Sequence, residues 1–200
     1  MPSIRLSRVV VALAALLSAA CGDPTKPKAT YVNAPSSYSL HALTGAPAYG
    51  ATAISMLGGA THADARYAFD LAFDLNASGQ TLVYPVRVLG GPLAQLVMGS
   101  AYGTSLTRVG MQKISGAFDA ITEVPSANYD TLTVQALKPG EVLAVEVLES
   151  SCYYSLGGQT LSAKLTVDSV NVPLGRIFVR TVVDPNCGYR SVVPDSLPGN

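Results

Sequence analysis

The sequence predicts an all-β fold, a single antiparallel β-sandwich or barrel-like domain of about eight or nine strands. Three observations predict it: short segments in which apolar and polar residues alternate, turn residues between those segments, and very little helical periodicity. The chain has 200 residues, of which 48% are hydrophobic and 13% charged, so it can fill a core and differs from disordered and coiled-coil chains. One domain is expected, because one hydrophobic core serves a chain of this length.

The N-terminus has the features of a secretory signal peptide in their usual order. Arg5 and Arg8 precede an apolar run at 9–17, and small residues at 18–20 lead into Cys21. The run rises only about 14 Å as a helix, well short of the roughly 30 Å apolar core of a bilayer, so cleavage is expected and not a transmembrane anchor. The predicted layout is a signal peptide over 1–20, a lipidated N-terminus and flexible tether over 21–35, and a β-rich domain over 36–200.

The segment Leu17-Ser18-Ala19-Ala20-Cys21 resembles the lipobox of bacterial lipoproteins. The resemblance implies that Cys21 is the lipid attachment site, acylated on its sulfur and, as the new N-terminus, on its amine. The usual leucine three places before the cysteine is Ser18 here, with Leu17 one place further back. Gly22 follows the cysteine where an aspartate would signal inner-membrane retention, so the implied location in a Gram-negative envelope is the outer membrane. The alternative is a plain signal peptide that leaves a free thiol.

The two remaining cysteines, Cys152 and Cys187, are predicted to form a disulfide, because an export leader places them where disulfides persist. The bridge closes 35 residues, worth roughly 4 kcal/mol in the chain-entropy model. The alternative is two buried thiols. Both cysteines leave the same end of the sheet if three segments form an up-down-up meander, namely 142–149, 160–172 and 175–184.

Residues 66–89 predict a β-hairpin around the turn Asn76-Ala77-Ser78-Gly79. The odd positions from Tyr67 to Leu75 are large and apolar, which predicts a strand with that face buried and Asp70 on the opposite, solvent-facing side. Matching the apolar faces of the two strands predicts four cross-strand pairs: Phe73 with Leu82, Leu71 with Tyr84, Phe69 with Val86 and Tyr67 with Val88.

Two further expectations follow from the same hairpin. Pro85 lacks a backbone N–H, so its strand is expected to be an edge strand or to carry a bulge. The polar face predicts a surface ion pair that joins Arg87 to Asp70, with Arg66 nearby.

Other strands are predicted from Val, Leu and Thr content between Pro and Gly breaks, at 131–137, 142–148, 161–172 and 176–183, with weaker candidates at 37–43 and 51–57. Apolar residues at 111, 114, 118 and 121 have helical spacing, but the glycines among them limit the prediction to a short helix at most.

Charge and motifs predict a non-enzymatic protein without a cofactor. Thirteen basic residues balance thirteen acidic ones, which is unusual for a nucleic-acid binder. The sequence contains no nucleophile elbow, phosphate-binding loop or zinc-protease helix. The expected function is a membrane-anchored, extracytoplasmic module that binds a protein, a glycan or an envelope component. The alternative is a secreted hydrolase with a loop-built site around His41 or His62, together with Asp64.

The hairpin turn also matches the first half of a calcium-binding loop, with Asp74, Asn76 and Ser78 as the candidate ligands. The twelfth position of such a loop is Pro85 where a bidentate glutamate is needed. An ordinary turn, in which Asn and Ser side chains bond to their own backbone, is therefore the main prediction, and no other metal site is expected.

Overall fold

The computed structural model describes residues 28–64, 69–89, 109–152, 155, 158 and 160–199. Ten strands lie in these ranges and form two five-stranded antiparallel sheets, which confirms the predicted all-β, sandwich-like architecture with slightly more strands than expected. The strands are β1 (Ala34–His41), β2 (Ala53–Ser55), β3 (Gly59–Thr61), β4 (Leu71–Leu75), β5 (Thr81–Pro85), β6 (Val109–Ile114), β7 (Gln135–Leu137), β8 (Val142–Leu148), β9 (Thr160–Asn171) and β10 (Arg176–Asp184). Cys21, the leader, Arg66 and Tyr67 lie outside the described residues.

The first sheet has the strand order β1-β10-β9-β8-β6. Its centre is the predicted up-down-up meander of β8, β9 and β10, in which each strand pairs with the next along the chain. The disulfide between Cys152 and Cys187 is also confirmed, with a Cα–Cα distance of 5.4 Å. Both cysteines follow strands that finish at the same end of the sheet, so the bridge joins the loops after β8 and β10.

The second sheet has the order β3-β2-β4-β5-β7, and its hairpin β4–β5 is one residue away from the predicted register. Phe73 pairs with Val83 and Leu71 pairs with Pro85, so the predicted partners Leu82 and Tyr84 are wrong. Val86 likewise bonds to the carbonyl of Asp70 and is not opposite Phe69.

The turn explains the shift in register. The Asn76 N–H donates to the carbonyl of Gln80, and Gly79 has φ +75°, so three residues and not four separate the paired ends. One residue of slip exchanges the two faces of a strand. As a result Thr81 and Val83 face the core, whereas Leu82 is only half-buried.

Pro85 does not mark an edge strand or a bulge, which corrects the prediction. β5 lies between β4 and β7, but β7 pairs only with residues 81–83, so the ladder on that side ends before Pro85. The proline is the last residue of β5, and a 3₁₀ turn at Val86–Val88 follows it. Its missing N–H therefore costs no cross-strand hydrogen bond to β7.

Asp70 is buried, whereas the sequence pattern places it on a solvent-facing surface. The side chain is 5% exposed, and its carboxylate accepts a hydrogen bond of 2.6 Å from the backbone N–H of Met56. The predicted surface ion pair with Arg87 is therefore wrong, because this backbone contact replaces it.

The main core lies between the two sheets. Alternate residues of the first sheet, such as Leu143, Leu165 and Ile177, are buried in one cluster with Phe73 and Val83 of the second sheet. Period-two alternation produces this arrangement, since every second side chain of a strand points to the same face.

A second cluster covers part of the outer face of the first sheet. Val142, Ala144 and Val182 pack there against Phe118 and Val192, which belong to the segments after β6 and β10. These segments also pair with each other, through hydrogen bonds between residues 122–124 and 190–192. The rest of the outer face, towards β1, is left with exposed side chains.

Two other predicted elements are shorter or different. The helical spacing over 111–121 is in fact the strand β6 followed by a 3₁₀ turn at Phe118–Ala120. The predicted strand at 131–137 forms only over β7, because Asp130 accepts hydrogen bonds from the N–H groups of Leu132 and Thr133 and bends the chain. Within the described ranges, no helix is long and apolar enough to cross a membrane.

Candidate functional site

The N-terminal segment of the domain is tied to the end of the sandwich that carries the disulfide. The Asn186 carboxamide oxygen accepts hydrogen bonds from the N–H groups of Thr30 and Tyr31, and Asn33 donates to the carbonyls of Ser191 and Val193. Residues 30–33 are thus hydrogen-bonded to the domain, and the predicted boundary at residue 36 lies inside β1.

β1 then carries the chain to the opposite end, about 27 Å away for eight strand residues. We call this opposite end, which holds His41 and the β9–β10 turn at 172–175, the distal end.

Arg176 forms the centre of a polar cluster at the distal end. It opens β10 opposite His41, and its guanidinium reaches over β1 to bond with two side chains there. Nη1 lies 2.9 Å from His41 Nε2, and Nη2 donates to the hydroxyl of Ser39. Because a guanidinium can only donate, His41 Nε2 is the acceptor and the ring proton of neutral His41 lies on Nδ1.

The charge of Arg176 is not balanced by an acidic partner in the described part of the chain. Its Nε is buried and has no hydrogen-bond partner among these residues. Arg180, four residues further along the same face of β10, does have acidic partners. It bonds to both oxygens of Asp168 at 2.8 and 2.9 Å and lies 3.6 Å from Asp119. Arg176 is therefore held by neutral groups and keeps its capacity to bind an anion.

Exposed aromatic and aliphatic side chains lie at the same end of the sandwich as this cation. Phe178 follows on the same face of β10 and is 40% exposed, while Val172 and Leu174 in the preceding turn are 54% and 68% exposed. Tyr49, 96% exposed, precedes Gly50, which packs directly on the ring of His41. A Cβ at residue 50 would lie 2.5 Å from His41 Cδ2, so only glycine allows this approach.

We define the distal patch as this cation, the two side chains that bond to it and the exposed side chains at the same end of the sandwich: Ser39, His41, Tyr49, Val172, Leu174, Arg176 and Phe178. Four of them belong to the paired strands β1 and β10, so their spacing is fixed by the backbone ladder. The arrangement combines one available cation, two hydrogen-bonding side chains and exposed apolar area, which is the composition of a binding surface.

The two histidines of the hydrolase alternative lie near the chain segment at Ala51 and Thr52, one on each side of it. The His41 N–H donates to the carbonyl of Ala51, and the Thr52 N–H donates to the carbonyl of Thr61, which precedes His62. The ring of His41 and the hydroxyl of Ser39 both bond to Arg176 and not to each other. His62 and Asp64 lie in the segment after β3. Over the described ranges, no three His, Cys, Asp or Glu residues are grouped as a metal site would need.

The candidate calcium ligands Asp74 and Asn76 accept hydrogen bonds from nearby residues of the chain. The Asp74 carboxylate accepts hydrogen bonds from the N–H and hydroxyl of Thr44 at 3.1 and 2.8 Å. The Asn76 carboxamide oxygen accepts from the N–H groups of Ser78 and Gln80. The turn thus has the side-chain-to-backbone bonds of an ordinary turn, and calcium binding there stays the untested alternative.

Two buried ionisable groups lie away from the distal patch. Burial raises the pKa of Asp70 to about 6, against the lowering effect of the Met56 N–H, and the nearby charge of Glu149 adds to the rise. The segments around Phe118 and Val192 form an outer cover on the first sheet. Lys164 lies under this cover, where burial lowers its pKa. Its ammonium donates to the carbonyls of Phe118 and Ile121, both at 2.8 Å, and lies 4.6 Å from the centre of the Phe118 ring.

The fold and the patch together define a class: a two-sheet, antiparallel β domain with a polar and aromatic surface at one end. Comparison with protein-family models, with curated proteins and with solved structures finds no match to this chain.

The sequence prediction missed Arg176, Phe178 and Tyr49 as site residues. One signal was readable, because the predicted strand at 176–183 places residues 176, 178 and 180 on one face as Arg, Phe and Arg. The contact of that face with Ser39 and His41 joins residues more than 130 positions apart, and no local pattern indicates it.

Proposed function

We propose that this protein is a non-enzymatic binding module, anchored to the bacterial cell envelope through lipid on Cys21, and that the distal patch contacts its ligand. The observation that carries the proposal is Arg176, a cation held in place by neutral groups at an end of the domain that also exposes aromatic and aliphatic side chains. Arginine and aromatic residues supply most of the binding energy in protein interfaces.

The position of the patch supports the same function. The chain enters the domain at the disulfide end, where Asn186 holds residues 30 and 31. A lipid anchor at Cys21 joined there by a short tether would direct the opposite end away from the membrane. The patch is then the part of the protein that is most accessible to a ligand outside the bilayer.

Rigid placement is a second support. Ser39 and His41 on β1 and Arg176 and Phe178 on β10 lie on two strands that pair over the full length of β1. Side chains on such strands keep their spacing before the ligand arrives, which lowers the entropy lost on binding.

Site-specific photocross-linking in intact cells tests the proposal. Benzoylphenylalanine is placed at Tyr49 or at Phe178, and the matched control carries it at Val32, which is 57% exposed but lies at the disulfide end. A discrete adduct from the two distal positions and none from residue 32 is expected. Adducts from residue 32 alone, or none from any position, would overturn the proposal.

Turnover assays test the hydrolase alternative. The purified protein is incubated with chromogenic ester, peptide and glycoside substrates, together with His41→Ala and His62→Ala variants. We expect no turnover above that of buffer. Turnover that either histidine variant abolishes would replace the binding function with a hydrolase.

A further inference from the structure

β1 is an edge strand of the first sheet, and among the described residues the middle of its outer edge is open. The N–H groups of Asn33 and His41 point away from β10, because they donate to Ser196 and Ala51. By the alternation of an antiparallel ladder, the N–H and carbonyl groups of Ser37 and Ser39 point the same way. Both serines are exposed, and their outward backbone groups bond to no other residue in the described ranges.

The available cation lies directly over this open edge. Arg176 belongs to the second strand of the sheet, but its guanidinium extends over β1 and bonds to Ser39 and His41. β1 itself, with the sequence Ala-Pro-Ser-Ser-Tyr-Ser-Leu-His, contains no acidic side chain. An open backbone edge and an unbalanced positive charge therefore occur side by side.

We propose that the edge of β1 at residues 37–39 binds an extended, acidic segment of a partner protein as an added strand, with a carboxylate of that segment bonded to Arg176. The inference rests on the proposed binding function and names its ligand class. An added strand lies about 4.8 Å from β1, and alternate side chains of it project on the same face as Ser39 and His41. A carboxylate there accepts charge-assisted hydrogen bonds from the guanidinium.

The charge pattern argues against a second copy of this chain as the occupant. Two β1 strands paired edge to edge would bring two Arg176 side chains together without a carboxylate from either strand. Pro35, which lacks an N–H, and the bonds that close the edge at Asn33 and His41 also restrict pairing to a short stretch. A short acidic segment satisfies both constraints.

Fluorescence anisotropy with defined peptides tests the inference on the full-length protein purified in detergent. The probe is fluorescein-labelled Val-Thr-Glu-Thr-Glu-Thr-Val, and its controls are twins in which Gln or Lys replaces both Glu. The Glu peptide is expected to bind about tenfold more tightly than the Gln twin, the ratio expected of a charge-assisted hydrogen bond, and the Lys twin more weakly still. Arg176→Gln should remove the difference between the Glu and Gln peptides.

The backbone contribution has its own matched pair of variants. Ser37→Pro removes an outward N–H that makes no bond within the described residues, whereas Ser37→Ala keeps it. Ser37→Pro should weaken binding at least about tenfold relative to Ser37→Ala, with unfolding curves that confirm both variants fold. Slowed hydrogen exchange at the Ser37 and Ser39 amides on peptide binding would support the added strand directly.

Four outcomes would overturn the inference: equal affinity for all three peptides, binding unaffected by Ser37→Pro, no binding of any peptide, or dimerisation of the protein through the same edge. The proposed binding function fails separately. If no peptide binds but positions 49 and 178 still cross-link to a glycan or a lipid, the binding function stands and only the acidic strand is wrong.

Discussion

The carboxylate of Asp70 accepts a hydrogen bond from the backbone N–H of Met56 at 2.6 Å, and burial raises its pKa to about 6. The contact joins the segment after β2 to the residue that precedes β4. Because Asp70 is 5% exposed, the ionised carboxylate loses most of its hydration when the protein folds. The folded protein therefore binds a proton on Asp70 more tightly than the unfolded chain does.

The first prediction concerns the pH dependence that follows from this carboxylate. The pKa of Asp70 is raised from 3.8 to about 6, so its contribution to stability is fully present below pH 4 and is lost as the pH rises through 6. Between pH 4 and pH 7 this group should lower the free energy of unfolding by up to about 3 kcal/mol. Asp70→Asn keeps the acceptor for Met56 and should remove this slope, as urea unfolding at several pH values would measure. Asp74→Asn is the control, and identical slopes in the wild type and Asp70→Asn would contradict the prediction.

The sequence predicted the C-terminal meander, the disulfide and the all-β class because each depends on local information. Val142–Leu148 is rich in Val and Leu and lies between the breaks Lys138-Pro139-Gly140 and Gly157-Gly158, and only two cysteines remained to be paired. The hairpin register failed because a single backbone angle at Gly79 changes the loop length by one residue. The burial of Asp70 also could not be predicted, since the residues that cover it come from another strand pair.

The second prediction tests the corrected register of the hairpin. Val83 is fully buried, whereas Leu82 is half-buried, so Val83→Ala should destabilise the protein more than Leu82→Ala although it removes fewer carbon atoms. Phe73→Ala, opposite Val83, should cost roughly 3–5 kcal/mol. Chemical unfolding measures all three. The reverse order for residues 82 and 83 would favour the register predicted from the sequence.

The third prediction concerns the bridge between Cys152 and Cys187. It closes 35 residues between the ends of β8 and β10, so reduction should lower the free energy of unfolding by roughly 4 kcal/mol. Thermal unfolding with and without a reductant measures the loss. The double variant Cys152→Ser with Cys187→Ser should melt at the lower temperature and should not respond to reductant. Equal melting temperatures for the oxidised and reduced wild type would show that the bridge contributes no stability.

The fourth prediction concerns the lipid anchor that the leader sequence implies. Cys21→Ala removes the sulfur that would carry the acyl chains, so the variant should incorporate no labelled palmitate and should leave the membrane fraction. Ser18→Leu, which restores the usual leucine of the lipobox, is the control and should be acylated at least as well as the wild type. Membrane retention of unacylated Cys21→Ala would contradict the lipoprotein assignment.

The fifth prediction concerns Lys164, whose ammonium bonds to the outer cover of the first sheet. Its side chain is fully buried, and its ammonium donates to the carbonyls of Phe118 and Ile121. Lys164→Met leaves those two carbonyls without their donor and should destabilise the protein by about 1–3 kcal/mol. Lys113→Met, which breaks only the exposed pair with Glu141, should change stability by less than about 1 kcal/mol.

The same lysine should also make the free energy of unfolding depend on pH in the alkaline range. Burial lowers its pKa in the folded state, so the unfolded chain binds the extra proton and stability from this group should rise as the pH rises towards the ordinary lysine value. Lys164→Met should remove that rise, while Lys113→Met should keep it. If Lys164→Met costs no more than Lys113→Met and the two variants have the same alkaline slope, the ammonium does not hold the cover, and the packing of Phe118 on the outer face alone would account for it.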